Sequence, residues 1–168
     1  AISVDSQPGR GSVVQITLPI RVDEAWEEEP AEKDGDTQGD VSGMRVLLVE
    51  DNALNCEIVE YILGEAGAEV VTANDGKAAV DAFAASEPGR FDCVLMDLMM
   101  PVMSGYEAAR VIRGLDRPDA KTVPIIALSA NAFEEDVALA KDAGMDEHLA
   151  KPVDIRRMFR VMNGLRGR

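Results

Sequence analysis

The chain has 168 residues, 46% of them apolar and 29% charged, a balance that suits one ordinary globular domain and leaves no room for a second complete one. Thirty-one acidic against seventeen basic residues give a formal charge of −14, which disfavours direct contact with nucleic acid or an anionic membrane. No apolar run approaches a bilayer span, the opening stretch lacks the parts of a secretory signal, and Cys56 and Cys93 are too far apart for a CxxC pair. The reading is therefore a cytoplasmic fragment without membrane contact of its own, any membrane anchor of a parent protein lying elsewhere.

In chain order, Val14, Ile16, Leu18 and Ile20 alternate with Val13, Gln15, Thr17 and Pro19 after the turn residues Pro8-Gly9-Arg10-Gly11, so residues 1–20 are expected to form a β-hairpin. Two strands alone are marginal in water, which makes this piece the end of a larger domain. Residues 21–43 carry nine acidic residues against Arg21 and Lys33, with Pro30, Gly35, Gly39 and Gly43 and no apolar period, and are expected to be a flexible linker.

From residue 44 to 168, apolar runs of strand length alternate with helix-length segments, predicting five βα units around a parallel sheet. The strands are expected at 44–49, 69–73, 91–96, 123–128 and 147–150. Runs such as Val46-Leu47-Leu48-Val49 are apolar without alternation, as for strands covered on both faces. The first helix carries Leu54, Ile58, Tyr61, Ile62 and Glu65 and should stop at Gly67. Asp75 and Ser104 are expected to cap the second and third. The fourth opens on Glu134, Glu135 and Asp136 and closes on Lys141 before Gly144. Ile155, Met158, Phe159, Met162 and Leu165 form the stripe of the last.

In open parallel sheets ligands sit beyond the carboxyl ends of the strands. The positions there are Glu50-Asp51, Asp97, Ser129 and Lys151-Pro152. Three carboxylates gathered in one place repel unless protonated or bridged by a cation, and oxygen-only ligands favour Mg²⁺, with Mn²⁺ also admissible. Asp97 can then act as a nucleophile on a phosphoryl group, Lys151 supplying positive charge and the Ser129 hydroxyl, with backbone N–H groups beside it, supplying hydrogen bonds.

Four motifs, Val49-Glu50-Asp51-Asn52, Met96-Asp97-Leu98-Met99-Met100-Pro101-Val102-Met103-Ser104-Gly105, Ala127-Leu128-Ser129-Ala130 and Leu149-Ala150-Lys151-Pro152, make residues 44–168 resemble the receiver domain of response regulators and hybrid histidine kinases. The resemblance implies a flavodoxin-like (βα)5 doubly wound α/β fold with strand order 2-1-3-4-5. It also implies a two-component phosphorelay, in which Asp97 is phosphorylated from a phosphohistidine on a kinase dimerisation domain and passes the signal to a histidine phosphotransfer protein or through altered protein contacts. Asp51 would be a direct metal ligand, Glu50 a ligand through water, and the Met99 backbone carbonyl a further one. Lys151 would contact the phosphoryl group, and the Lys151-Pro152 bond would be cis. The Ser129 position would move toward the phosphoryl group and the residue three before the lysine would rotate inward; here that residue is His148, where relatives usually carry an aromatic. Met99 and Asn131 would tune the lifetime of the phosphorylated state. Residues 1–20 resemble the last strands of a histidine-kinase ATP-binding domain, and Asn52 with Asn55 is a pattern of hybrid-kinase receivers, so the parent reads as a hybrid sensor kinase and the chain itself not as a classical enzyme.

Blander readings stand beside these. An aspartate after an apolar run is often a cap or turn residue, Ser129 could cap the fourth helix, Lys151 could be a surface lysine, and His148 reads equally as a solvated strand-edge residue or a gate. The competing functions are the receiver of a stand-alone response regulator, a scaffold-only receiver, a nucleotide- or flavin-binding domain, and an Mg²⁺-dependent aspartyl-phosphate phosphatase. That last family wants a second aspartate two residues after the nucleophile, where this chain has Met99.

Overall fold

The computed structural model describes residues 2–7, 11–17, 40–130 and 134–166. The chain divides into two compact units, one within residues 1–35 and one within 36–168. The expected turn residues Pro8, Gly9 and Arg10, the strand end Leu18-Pro19-Ile20, the acidic stretch through residue 39, and Asn131 lie outside the described residues.

In the first unit, β1 (Ile2–Gln7) and β2 (Gly11–Ile16) form an antiparallel pair. Strand alternation puts the cross-strand pairs Ile2 with Ile16 and Val4 with Val14 on one side, and all four side chains are exposed.

The second unit is built from β3 (Arg45–Val49), α1 (Ala53–Glu65), β4 (Glu69–Ala73), α2 (Gly76–Ala85), β5 (Cys93–Asp97), α3 (Gly105–Gly114), β6 (Ile125–Ser129), α4 (Glu134–Asp142), β7 (Glu147–Ala150) and α5 (Ile155–Leu165). The five strands are parallel in the order β4-β3-β5-β6-β7, which is the expected 2-1-3-4-5 of the βα units. Alternation along each strand sends side chains to two separate cores. Val46, Leu48, Cys93, Leu95, Ile126, Leu128 and Leu149 bury against Leu63 of α1 and Met158, Phe159, Met162 and Leu165 of α5. Leu47, Val49, Val94, Met96, Ile125 and Ala127 bury against α2 and α3, chiefly Phe83, Ala108, Ala109 and Ile112. Covering on both faces is why these strands read as unbroken apolar runs.

Local chemistry sets the helix ends. Asp75 accepts from the Ala78 N–H, and Ser104 with Glu107 forms a reciprocal capping box. Asn52 and Asp154 cap α1 and α5, roles the sequence reading did not assign. After α1 and α4, Gly67 and Gly144 take φ of 84° and 86°, and the next residue's N–H returns to Leu63 and Ala140 respectively, closing Schellman turns.

Three details depart from expectation. The third and fourth strands start and finish later than read, so that Asp97 and Ser129 are the last residues of β5 and β6 rather than the residues after them. Residues 131–133, on which a capping role of Ser129 for α4 depends, lie outside the described residues. Leu54, Ile58 and Tyr61 of α1 are exposed, because the helix turns Val59, Ile62 and Leu63 toward the sheet. The second unit also reaches further back than residue 44. Val41 is fully buried in the α1/α5 core, and its carbonyl accepts from the Met44 N–H at 3.0 Å. Among the described residues no helix is long and apolar enough to cross a membrane.

Candidate functional site

The carboxyl ends of β3, β5 and β7 deliver three charged side chains to one place, and the strand period decides which. Glu50 continues the alternation of Val46 and Leu48, Asp97 that of Cys93 and Leu95, and Lys151 that of Leu149, so all three leave on the α1/α5 side of the sheet. Ladder-like bonds hold these exits: the Glu50 N–H donates to Ala73 O at 3.0 Å, the Leu98 N–H to Leu128 O at 3.2 Å and the Lys151 N–H to Ser129 O at 2.7 Å.

Asp97 and Glu50 are buried, at 6% and 4% exposure, while Asp51 is exposed at the rim. Lys151 Nζ bridges Glu50 Oε2 and Asp97 Oδ2, each at 2.6 Å. The Met99 N–H donates to Asp97 Oδ1 at 3.1 Å, which turns the other carboxylate oxygen toward the lysine. Burial opposes the charge on Lys151, but hydrogen bonds and attraction from Asp97 and Glu50 outweigh it and hold its pKa above the ordinary lysine value. The lysine is thus the cation that first relieves the crowding, a part the sequence reading gave to a metal alone.

Three carboxylates against one ammonium still leave two negative charges over, the charge of one divalent ion. Glu50, Asp51 and Asp97 each offer a carboxylate oxygen, all within 4.8 Å of one another. Mg²⁺–oxygen bonds of about 2.1 Å put opposite ligands of an octahedron about 4.2 Å apart. That donor set and spacing fit a small hard cation.

The family model for the response regulator receiver domain matches residues 46–163. The chain belongs to that family. It is 38% identical over 125 residues to the peroxide stress-activated histidine kinase mak1 of Schizosaccharomyces pombe, covering 74% of this chain but only 8% of the length of mak1. Among solved structures, the receiver domain of the sensor histidine kinase PA1611 from Pseudomonas aeruginosa PAO1, which has a magnesium ion coordinated in its active site cleft, is 38% identical with a TM-score of 0.66, covering 74% of this chain and 98% of that one. The co-crystal structure of the Saccharomyces cerevisiae histidine phosphotransfer signalling protein Ypd1 with the receiver domain of its downstream response regulator Ssk1 gives 30% identity and a TM-score of 0.64, over 72% and 87% of the respective chains.

The other residues singled out for the receiver site fall in two groups. Met99 lies on the β5–α3 connection with its side chain exposed, and the Lys151–Pro152 bond is cis. Ser129 and His148 lie together on the opposite, α2–α4, side of the sheet, Ser129 Oγ to His148 Nε2 being 2.5 Å; His148 is half-buried on β7, the strand at the edge of the sheet. Two supporting residues were given no role beforehand. Asn55, in the first turn of α1, donates from Nδ2 to Glu50 Oε1 at 3.0 Å. Gly105 starts α3 so close to β5 that a methyl group would meet the Asp97 carbonyl oxygen and, at 3.0 Å, Leu98 Cα. Asn55 was visible in sequence as part of the Asn52/Asn55 pattern, though its contact with Glu50 was not; the glycine after Ser104 was likewise a visible signal.

Proposed function

We propose that this receiver accepts a phosphoryl group on Asp97 in a Mg²⁺-dependent reaction, within a phosphorelay whose parent protein is a hybrid histidine kinase. One observation carries the reading: a buried carboxylate at the end of β5 has one oxygen held by a backbone N–H and the other by the Lys151 ammonium, with two further carboxylates in reach of the same ion. Asp51 and Asp97 would hold Mg²⁺ directly with the Met99 carbonyl, and Glu50, steadied by Asn55, would do so through water. The ion's chemistry is neutralisation of charge on the phosphoryl oxygens, and Mn²⁺ suits the same donors.

The step itself is an in-line displacement. A carboxylate oxygen of Asp97 forms a bond to phosphorus, the P–N bond of the donor phosphohistidine breaks, and its imidazole leaves with the bonding pair and takes up a proton. Lys151 steadies charge beside the reacting oxygen, and Ser129 is the hydroxyl donor on the neighbouring strand. Hydrolysis of the acyl phosphate restores the carboxylate and releases inorganic phosphate.

The donor is read as the phosphohistidine of a kinase dimerisation domain and the acceptor as a histidine phosphotransfer protein, as in the partnership of Ssk1 with Ypd1. Leu54, Ile58 and Tyr61, at i, i+4 and i+7 of α1, offer such a helical partner an exposed apolar stripe beside the site. The hairpin of β1 and β2, with its exposed apolar side, is read as the last strands of a kinase ATP-binding domain, joined through an acidic linker, and the whole as cytoplasmic.

Incubation with Mg²⁺ and acetyl phosphate followed by intact-mass measurement tests the assignment. The wild type gains one phosphoryl adduct that disappears when Mg²⁺ is chelated, and Asp97→Asn gains none. Persistence of the adduct in Asp97→Asn would place the acceptor elsewhere.

A further inference from the structure

Glu50 and Asp97 are each held through both carboxylate oxygens. On Asp97, Oδ1 accepts from the Met99 N–H at 3.1 Å and Oδ2 from Lys151 Nζ at 2.6 Å. On Glu50, Oε2 accepts from the same ammonium at 2.6 Å and Oε1 from Asn55 Nδ2 at 3.0 Å. A carboxylate only accepts, so the Asn55 amide must face it with its NH2 group. The backbone of Asn55 is fixed in turn: its N–H, with that of Leu54, donates to Asn52 Oδ1, which sets the first turn of α1. Asn55 is itself exposed, so its contact with Glu50 can be removed without opening the core.

We propose that Asn55 is a specificity-determining residue for the ion: by fixing the Glu50 carboxylate it favours Mg²⁺ over Ca²⁺. This rests on the reading of Glu50, Asp51 and Asp97 as an Mg²⁺ site and deepens it. Mg²⁺ demands near-octahedral ligands at about 2.1 Å and keeps several waters, whereas Ca²⁺ gathers about six to eight oxygens at about 2.3–2.6 Å, often two from one carboxylate. To offer both oxygens to one ion, Glu50 would have to give up its bond to Asn55 or to Lys151, and Asp97 one of its own pair. The two buried acids therefore present single oxygens, which suits the smaller ion and leaves the larger under-coordinated. Without Asn55 the Oε1 side of Glu50 is released, and the carboxylate can rotate about its last bond toward a larger ion. Loss of Lys151 would change the charge of the site, but loss of the neutral Asn55 removes only the restraint.

The test uses the full chain, ¹⁵N-labelled, titrated with Mg²⁺ alone and with Ca²⁺ alone while the backbone amide resonances that each ion shifts are followed. In the wild type Mg²⁺ shifts these resonances, and the shifts vanish in Asp51→Ala. Asn55→Ala is expected to lower the ratio of Mg²⁺ to Ca²⁺ affinity by about tenfold, the lower end for a residue that orients a metal ligand, because Asn55 is exposed. Asn55→Gln, with the same amide on a longer arm, brings the ratio back toward wild type. In a Glu50→Gln background Asn55→Ala leaves the ratio where it was, since no carboxylate is left to restrain, and circular dichroism checks that each variant is folded. An unchanged ratio in Asn55→Ala, or a drop of equal size with and without the Glu50 carboxylate, would overturn the proposal. Mg²⁺ shifts that survive in Asp51→Ala, or their absence from the wild type, would overturn the metal-site reading along with it.

Discussion

Lys151 joins two buried carboxylates that would otherwise repel, and this makes it as much a part of the resting structure as of the phosphoryl chemistry. Replacing it leaves Glu50 and Asp97 with uncompensated charge, and breaking a buried pair from one side is costly. Lys151→Met is expected to lower stability in metal-free buffer by about 3 kcal/mol in urea titration. The stabilisation gained from saturating Mg²⁺ should at the same time exceed that of the wild type; equal gains would separate the lysine from the metal site. Cys93 makes a second residue-scale prediction. Burial pushes its thiol from 9.0 up to about 12, with a smaller push from Asp92. Its folded pKa lies above its unfolded one, so the stability it contributes is complete below pH 9 and is lost as pH rises toward 12. Between pH 9 and 11 the wild type should lose stability more steeply than Cys93→Val, by at most about 1.4 kcal/mol per pH unit. Parallel curves would show that the thiolate is not excluded from the folded state.

At the scale of elements, the approach of α3 to β5 sets the loop that carries Met99 and aims Asp97. The Gly105 N–H donates to Leu98 O at 3.1 Å, and the space for a side chain is taken by backbone, which cannot move aside as a flexible side chain would. Gly105→Ala is expected to cost about 2 kcal/mol and to slow phosphorylation of Asp97. Unchanged stability and rate would mean that the helix start is free to shift. Arginines tie the far ends of these elements. Arg113 of α3 donates to Gly144 O, Ala120 O and Val123 O at 2.8–2.9 Å and pairs with Asp146, while Arg117 lies 4.3 Å over the Phe83 ring and pairs with Asp119. Arg113 thereby satisfies loop carbonyls that no strand or helix would have used.

At the scale of the molecule, the second unit carries its own two-sided core, and Val41 and Met44 belong to it. The Gly43 N–H also bonds to Gly67 O at 2.8 Å, fastening the entry of the chain beside the end of α1. A fragment beginning at Asp40 should unfold cooperatively and take up phosphoryl as the full chain does. One beginning at Arg45 loses two fully buried side chains and should be less stable by about 3 kcal/mol or more, read from urea midpoints. Equal midpoints would show that neither Val41 nor Met44 belongs to the folded unit.

The amino-acid sequence alone determined the βα alternation, the class of the sheet and the strand-end acidic residues, because apolar runs, caps and glycine stops are local signals. It marked Glu50, Asp51, Asp97 and Lys151 through position relative to those runs, and the four motifs supplied strand order and family. Tertiary structure decided which neighbours they would have. Only the register of β6 against β7 brings His148 to Ser129, and only the rotation of α1 exposes Leu54, Ile58 and Tyr61, since apolar spacing on a helix does not say which side meets the sheet. The ammonium between Glu50 and Asp97 likewise joins residues 101 and 54 positions away, distances over which sequence pattern carries no record of contact while strand packing makes it inevitable.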